Sequence, residues 1–462
     1  VDVWSDAVQE VAASGKHALI SALAIPSFDT RASDPPPSEI LSREVFPALR
    51  HANVAHVADG EVSAGFTDAA VVAQMASPQL ESFWGRFGDK KATALRNMPN
   101  LKHLRIAAQS DLTGAFGEAV GRHGRNLETF SAPNVAGFAD PFLRNLGDFG
   151  SKPVQLRYLS FGNRANDTED LSAVSLNTAF PAAEVIRIHW TLWMTDGAPT
   201  LFRDLRSLRR LEFAEVTCNP APPPAFWRSL ADAVFLEELL MQWCPDLPPI
   251  SNTVVPASAL GVLRNVTIRD CPHILDSDDT WWWLWQLPAL RVLEVDFSAR
   301  SAAAAARALS ASGVDSRVRC LSSLILEAPF DHDDDRDPPS EEHRVAVLSR
   351  LPALRELNAY DTHGLTCFAA ISRPNSLQTL RLGNKVAEEP TVVARTIARF
   401  RNLRGIAFLP DWSDLDVKPV LELLTQACPS LRDVSFRFPS SEWPSDEKVA
   451  KAGLVLDVKG FG

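Results

Sequence analysis

A short apolar motif recurs along the chain, with apolar residues at its first, fourth and sixth positions. Successive clear copies start 23 to 33 residues apart. Weaker copies begin at Ile20 and Leu49, and a doubtful one at Leu80. The clear copies begin at Leu101, Leu127, Leu156, Ala183, Leu208, Leu236, Leu263, Leu290, Leu321, Leu354, Leu377, Leu403 and Leu431.

The spacing within the motif predicts a short strand. Its last two apolar residues are two apart and therefore point to one face of a strand, while the first turns into the same interior from the approach. Some of the segments between motifs have helical periodicity, such as Val417, Val420, Leu421, Leu424 and Cys428. Because one strand and one helix cannot bury their apolar faces alone, we expect the units to stack into a single solenoid.

These motifs resemble the leucine-rich repeat family, in its longer, cysteine-containing and ribonuclease-inhibitor-like varieties. The resemblance covers about residues 20–440, and Cys244 and Cys271 occupy the position where the family has Asn or Cys. It implies an α/β horseshoe with parallel strands on the concave face and helices on the convex face. One solenoid over 1–462 is expected, with N-terminal capping units at 1–48, repeats at 49–440 and a C-terminal cap at 441–462.

The charge balance disfavours two classes of partner. With 46 basic and 57 acidic residues, the net charge is −11, which argues against nucleic acid and anionic membranes as partners. The six cysteines form no CxxC or Cys/His cluster, so reduced thiols in the cytoplasm or nucleus are expected. Sequons at Asn166 and Asn265 leave a secreted or surface recognition protein as an alternative.

The sequence contains no recognisable catalytic motif. No histidine falls in a nucleophile, metalloprotease or triad pattern, and glycine-rich phosphate loops are absent. We therefore expect no enzyme, no cofactor and no metal, while an enzyme or cofactor-binding protein using the concave face near Arg187, His189 and Arg210 stays open. The acidic segment 331–337 partly matches a calcium loop, but Arg336 replaces the required Gly and prolines follow, which favours a solvated insertion.

Residues that alternate with the buried motif should point out of the concave face. Aromatic and arginine side chains among acids suit a protein or peptide ligand, although a solvated inner face also carries mixed charge. The candidate partner-binding residues are Arg187, His189, Trp190, Arg210, Glu212, Gln242, Trp243, Arg269, Asp270, Glu294 and Asp296.

A tryptophan run at 281–285 predicts a second surface. On a helix, Trp281, Leu284 and Trp285 share an inward face, so Trp282 or Trp283 should be partly exposed. A neighbouring loop such as the proline-rich 220–224 covers the exposed ring in one interpretation, and a partner binds it in the other.

The N-terminal residues 1–4, the apolar segment 19–26 and degenerate units such as 428–434 are similar to fungal F-box proteins with leucine-rich repeats. That resemblance implies an F-box upstream of Val1, which would bind the adaptor of a cullin-RING ubiquitin ligase. The solenoid would then capture the substrate without performing chemistry.

Overall fold

The protein is described by a computed structural model. It covers residues 14–24, 46–53, 76–85, 94–106, 114–132, 156–162, 168–169, 176, 180–189, 192–193, 202–218, 221–311, 320–327, 339–359, 366–383, 390–408, 423–424, 426–436 and 455–456. The chain divides into two compact units, Val1–Ala233 (unit 1) and Val234–Gly462 (unit 2).

Unit 1 is built on a parallel sheet in which each strand pairs with the next along the chain. Its strands are Ala22–Ala24, His51–Asn53, Ser82–Gly85, His103–Ile106, Thr129–Ala132, Tyr158–Gly162, Val185–His189 and Arg210–Ala214. A small second parallel sheet contains Thr168–Glu169, Leu192–Trp193 and Thr217–Cys218. The described helical segments are the α-helix Gly114–His123 and the 3₁₀ segments Lys16–Leu19 and Pro224–Asp232.

Unit 2 repeats this plan, with a parallel sheet whose strands follow chain order. Its strands are Glu238–Gln242, Asn265–Arg269, Val292–Asp296, Ser323–Glu327, Glu356–Ala359, Thr379–Leu382, Gly405–Phe408, Asp433–Phe436 and Val455–Leu456. Its described α-helices are Pro272–Leu275, Asp278–Gln286, Ala299–Ser310, Glu341–Leu348, Thr366–Ala369 and Pro390–Ile397. Short 3₁₀ segments occur at Ala257–Leu260 and Pro374–Ser376.

The strand register matches the repeat found in the sequence. In unit 1 the central motif residue Leu104 pairs with Phe130 of the next strand, and in unit 2 Val266 pairs with Leu293. The doubtful copy is also in register, because Phe83 pairs with Leu104. All residues of the clear motifs whose burial is described lie in the core. The predicted α/β solenoid of the leucine-rich repeat type is confirmed within each unit.

The motif residues point toward the helices. In unit 2, Leu326 and Leu357 line a small apolar cavity together with Leu348 and Phe368 from the return segments. The alternating strand residues therefore face away from the helices. Two helices of unit 2 begin at a serine cap: the Ser298 hydroxyl accepts the amide of Ser301, and the Ser340 hydroxyl accepts the amide of His343.

Two predicted features lie partly or wholly outside the described residues. Leu424 and Cys428 of the predicted helical stripe are buried, whereas Val417, Val420 and Leu421 are not among the described positions. The acidic segment 331–337 also falls outside the described part of the chain.

The tryptophan run has one partly exposed ring, as helical spacing predicted for Trp282 or Trp283. Trp283 is fully buried with Trp281 and Trp285, and Trp282 alone is half-exposed. Trp283 is buried because both sides of helix Asp278–Gln286 are covered. The amide of Ile250 donates to the Thr280 hydroxyl on one side, and the Trp285 indole donates to the carbonyl of Ala305 on the other. Trp283 is therefore withdrawn from the predicted aromatic patch, and Trp282 remains.

Candidate functional site on the strand face

The strand face of unit 1 carries one charged cluster, which we call the first face cluster: Tyr158, Arg187, His189, Arg210 and Glu212. Parallel pairing places Glu212 directly opposite Arg187. The Glu212 Oε2 atom lies 2.7 Å from Arg187 Nε and 3.3 Å from an Arg210 terminal nitrogen. One carboxylate therefore bridges two guanidinium groups.

Two further groups complete the first face cluster. The Arg187 guanidinium lies 5.7 Å from the centre of the Tyr158 ring, within cation–π distance. Burial lowers the pKa of His189, with Glu212 opposing and Arg187 reinforcing that effect. The imidazole is therefore mostly neutral at neutral pH. Tyr158 was not predicted, although the alternation rule applied one unit earlier would have included it.

The strand face of unit 2 carries the second face cluster: Glu238, Asn265, Thr267, Arg269 and Glu294. Arg269 donates to the Glu294 carboxylate across neighbouring strands, and the Thr267 hydroxyl donates to the same carboxylate over 3.3 Å. The Asn265 amide donates to Glu238 over 3.3 Å. The side chain of the second sequon is thus part of a strand-to-strand hydrogen bond.

Two neighbouring strands of unit 2 are each followed by a residue in the left-handed backbone conformation. Trp243 has φ 56° and Asp270 has φ 50°, and the residue that follows each is the cysteine noted in the sequence. The Cys244 and Cys271 thiols donate back to the carbonyls of Gln242 and Arg269, at 3.2 and 3.0 Å. This turn pins the cysteine in the core and directs Trp243 outward, where it is 37% exposed.

Two predicted face residues are not exposed. Asp270 and Asp296 are buried, and the amide of Asp270 donates to the Asp296 carboxylate. This hydrogen bond joins the ends of two neighbouring strands, Asn265–Arg269 and Val292–Asp296. Gln242 is exposed and Glu294 half-buried, as expected for face positions, while Trp190 lies outside the described residues.

The face extends further than the sequence interpretation considered. In unit 1 the Arg105 guanidinium lies 4.1 Å from the centre of the Trp84 ring. On the next strand pair, His103 Nδ1 lies 3.0 Å from the Thr129 hydroxyl. These residues were missed because alternation was applied only to the central units, although the same rule predicts them.

Within the described ranges, no group of three or more His, Cys, Asp or Glu side chains is placed to hold a metal ion. Among the helices described above, none has the length and apolar character needed to cross a membrane.

No protein-family model and no curated protein matches the chain. A crystal structure of a Bacteroides fragilis protein, solved by a structural genomics consortium, matches with a TM-score of 0.32 and 11% identity. That match covers 60% of this chain and 66% of the other, and at this level of similarity it carries no argument about function.

Proposed function

We propose that the chain is a non-enzymatic recognition scaffold that binds a protein or peptide ligand through its strand face. The observation that carries this proposal is the ordered arginine–carboxylate pairing on that face, centred on Glu212 in unit 1 and on Glu294 in unit 2. Long side chains held by neighbours lose less conformational entropy when a partner binds than free ones do.

The composition of the face fits a protein partner. Arginine and aromatic side chains are enriched at protein interfaces, where they bury large area and form forked hydrogen bonds. Trp243 provides an exposed aromatic ring at the end of its strand, and Gln242 beside it is also exposed. An exposed indole flanked by polar groups is typical of an interface anchor.

The finer proposal is that this scaffold is the substrate-receptor arm of an F-box-type ubiquitin ligase in the cytoplasm or nucleus. Its support is the resemblance of residues 1–4, 19–26 and 428–434 to fungal F-box proteins. All six cysteines are free, in agreement with a reducing compartment. Co-expression of the full gene product with the adaptor subunit of a cullin-RING ligase tests this point, and a failure to form a complex would refute it.

Site-specific crosslinking tests the recognition proposal. A photoreactive residue at Gln242 should crosslink a discrete partner in extracts, whereas one at Val392, which is 40% exposed on the helix Pro390–Ile397, should not. Replacing Trp243 by Ala should weaken the Gln242 crosslink while the melting temperature stays nearly unchanged. Equal crosslinking from both positions would reject the strand face as the binding surface.

A further inference from the structure

Exposed arginines lie along one edge of the unit 2 sheet, where they occupy the position just before five of its strands. We call this set the arginine row, and all its members are exposed. It consists of Arg264, Arg291, Arg355, Arg404 and Arg432.

Backbone hydrogen bonds hold the row in register. The amide of Arg291 donates to the carbonyl of Arg264, and the amide of Arg432 to the carbonyl of Arg404, both at 2.8 Å. Ser322 and Gln378 occupy the two intervening positions of the same ladder, and Glu237 precedes Arg264 at its start. With about 4.8 Å between strands, six strand separations give the row a length of about 29 Å.

The equivalent edge of unit 1 has a different charge pattern. There, from the second strand of the main sheet onward, the position before each strand alternates between basic and acidic residues: Arg50, Glu81, Lys102, Glu128, Arg157, Glu184 and Arg209. Neighbours neutralise one another, because the Glu81 carboxylate lies 3.2 Å from Arg50 and 3.4 Å from Lys102. The repeat geometry therefore permits acidic residues at the position just before a strand.

In unit 2, by contrast, no member of the arginine row forms an ion pair with any described residue. Arg264 and Arg291 are on adjacent strands, as are Arg404 and Arg432. Like charges at that spacing repel each other, and a bound anion reduces this repulsion. In a chain of net charge −11, such a concentration of positive charge is a local attractor for anions.

From this row we infer that unit 2 docks an extended acidic segment of a partner protein along its strand-start edge. An extended polypeptide rises about 3.3 Å per residue, so about nine residues span the row. Carboxylates at intervals along that segment would each meet a guanidinium, which binds carboxylate in a forked geometry.

Two observations favour a peptide over nucleic acid. Exposed acids, Glu356 and Asp433, directly follow Arg355 and Arg432, and they would repel the closely spaced phosphates of a nucleic acid strand. A peptide avoids this repulsion by placing neutral residues opposite the acids. Single-strand binding also relies on aromatic stacking platforms, and no member of the arginine row or of its intervening positions is aromatic.

The docking edge is separate from the strand face, so the inference does not depend on the function proposed above. Binding of a fluorescein-labelled peptide of six Glu-Gly repeats to the full chain, followed by anisotropy at low salt, tests it. We expect saturable binding that weakens with added salt. The double variant Arg404→Glu/Arg432→Glu should weaken binding about tenfold, equivalent to about 1.4 kcal/mol.

The matched control reverses the same charge elsewhere in unit 2. Arg300 and Arg399 are exposed on or just after helices, and Arg300→Glu/Arg399→Glu should change the affinity less than twofold. Equal weakening by both pairs, or no binding by the unmodified chain, would overturn the inference. If a twelve-residue oligothymidylate binds more tightly than the peptide, and the row variant loses this binding, the ligand is nucleic acid and the inference of an acidic peptide is wrong. Trp243→Ala should leave this peptide's affinity unchanged.

Discussion

Arg187 and Glu212 lie directly opposite each other on paired strands, and their side chains meet with 2.7 Å between Nε and Oε2. Glu212 also lies 3.3 Å from Arg210, and its side chain is only 17% exposed. The first face cluster therefore depends on one carboxylate that separates two positive charges. Removing that carboxylate's charge leaves two half-buried guanidinium groups close together.

We expect Glu212→Gln to lower the free energy of unfolding by about 1 kcal/mol, at the upper end for exposed ion pairs because the groups are partly buried. Thermal unfolding and urea titration measure this loss. Glu215→Gln is the matched control, because Glu215 is exposed three residues away and makes no ion pair with a described residue. Equal stabilities of the two variants would mean that Glu212 does not neutralise the arginines.

The fold was largely predictable because buried apolar residues alternate with outward-facing residues along each motif strand. Leu211 and Phe213, for example, are apolar and buried, and the register that joins Leu211 to Ile186 repeats along the chain. A strand that pairs on both sides with strands of the same apolar pattern has little freedom to shift register when one face is buried. Spacing alone was therefore enough to place the motif strands, but it did not predict the small sheet of Thr168–Glu169, Leu192–Trp193 and Thr217–Cys218.

The details of the face were less predictable, because they depend on backbone conformation rather than alternation. Asp270 and Asp296 occupy face positions in the sequence, yet both are buried, and the Asp270 backbone amide donates to the Asp296 carboxylate. Similarly, helical spacing predicted that Trp282 or Trp283 would be partly exposed but not which of the two, since that depends on the segments covering both sides of the helix. Neither the backbone conformation at Asp270 nor the packing of other segments on helix Asp278–Gln286 can be recognised from the sequence of those residues.

Trp281 and Trp283 should respond differently to replacement by Phe. Both are buried, but the Trp281 indole donates to the carbonyl of Leu275 over 2.7 Å, whereas the Trp283 indole nitrogen has no partner among the described residues. Both changes remove similar volume. Because Trp281→Phe also leaves a buried carbonyl without its donor, it should cost about 1–2 kcal/mol more than Trp283→Phe.

Urea unfolding of the two variants side by side measures this difference. Trp283→Phe serves as the internal control for lost packing, and each variant retains the other tryptophans as fluorescence probes. A larger loss for Trp283→Phe would indicate that its indole nitrogen has a partner in the folded protein.

Thiol reactivity should separate one cysteine from the other five. Cys320 is exposed, and the other cysteines are buried. Burial raises the pKa of Cys367 to about 11 and also raises the pKa values of Cys271 and Cys428. Since the thiolate is the reactive form, we expect one fast-reacting thiol at pH 8 with a chromogenic disulfide reagent.

The variant Cys320→Ser should abolish the fast phase, and all six thiols should react in denaturant without a reducing agent. Fewer than six would reveal disulfides and favour the secreted alternative over the reducing compartment proposed above.

The alternating row of unit 1 predicts a pH-dependent contribution to stability. A hydrogen bond and the charge of Lys102, helped by Arg50, lower the pKa of Glu81. A lowered folded-state pKa means that the stabilisation is complete above the unfolded-state pKa and is lost as the pH falls through the folded-state pKa. Glu81→Gln should therefore be less stable than the unmodified chain at pH 7, and the gap should close in acid. In the Lys102→Gln background the gap at pH 7 should already be smaller. A gap that persists unchanged at low pH would mean that Glu81 contributes through packing rather than charge.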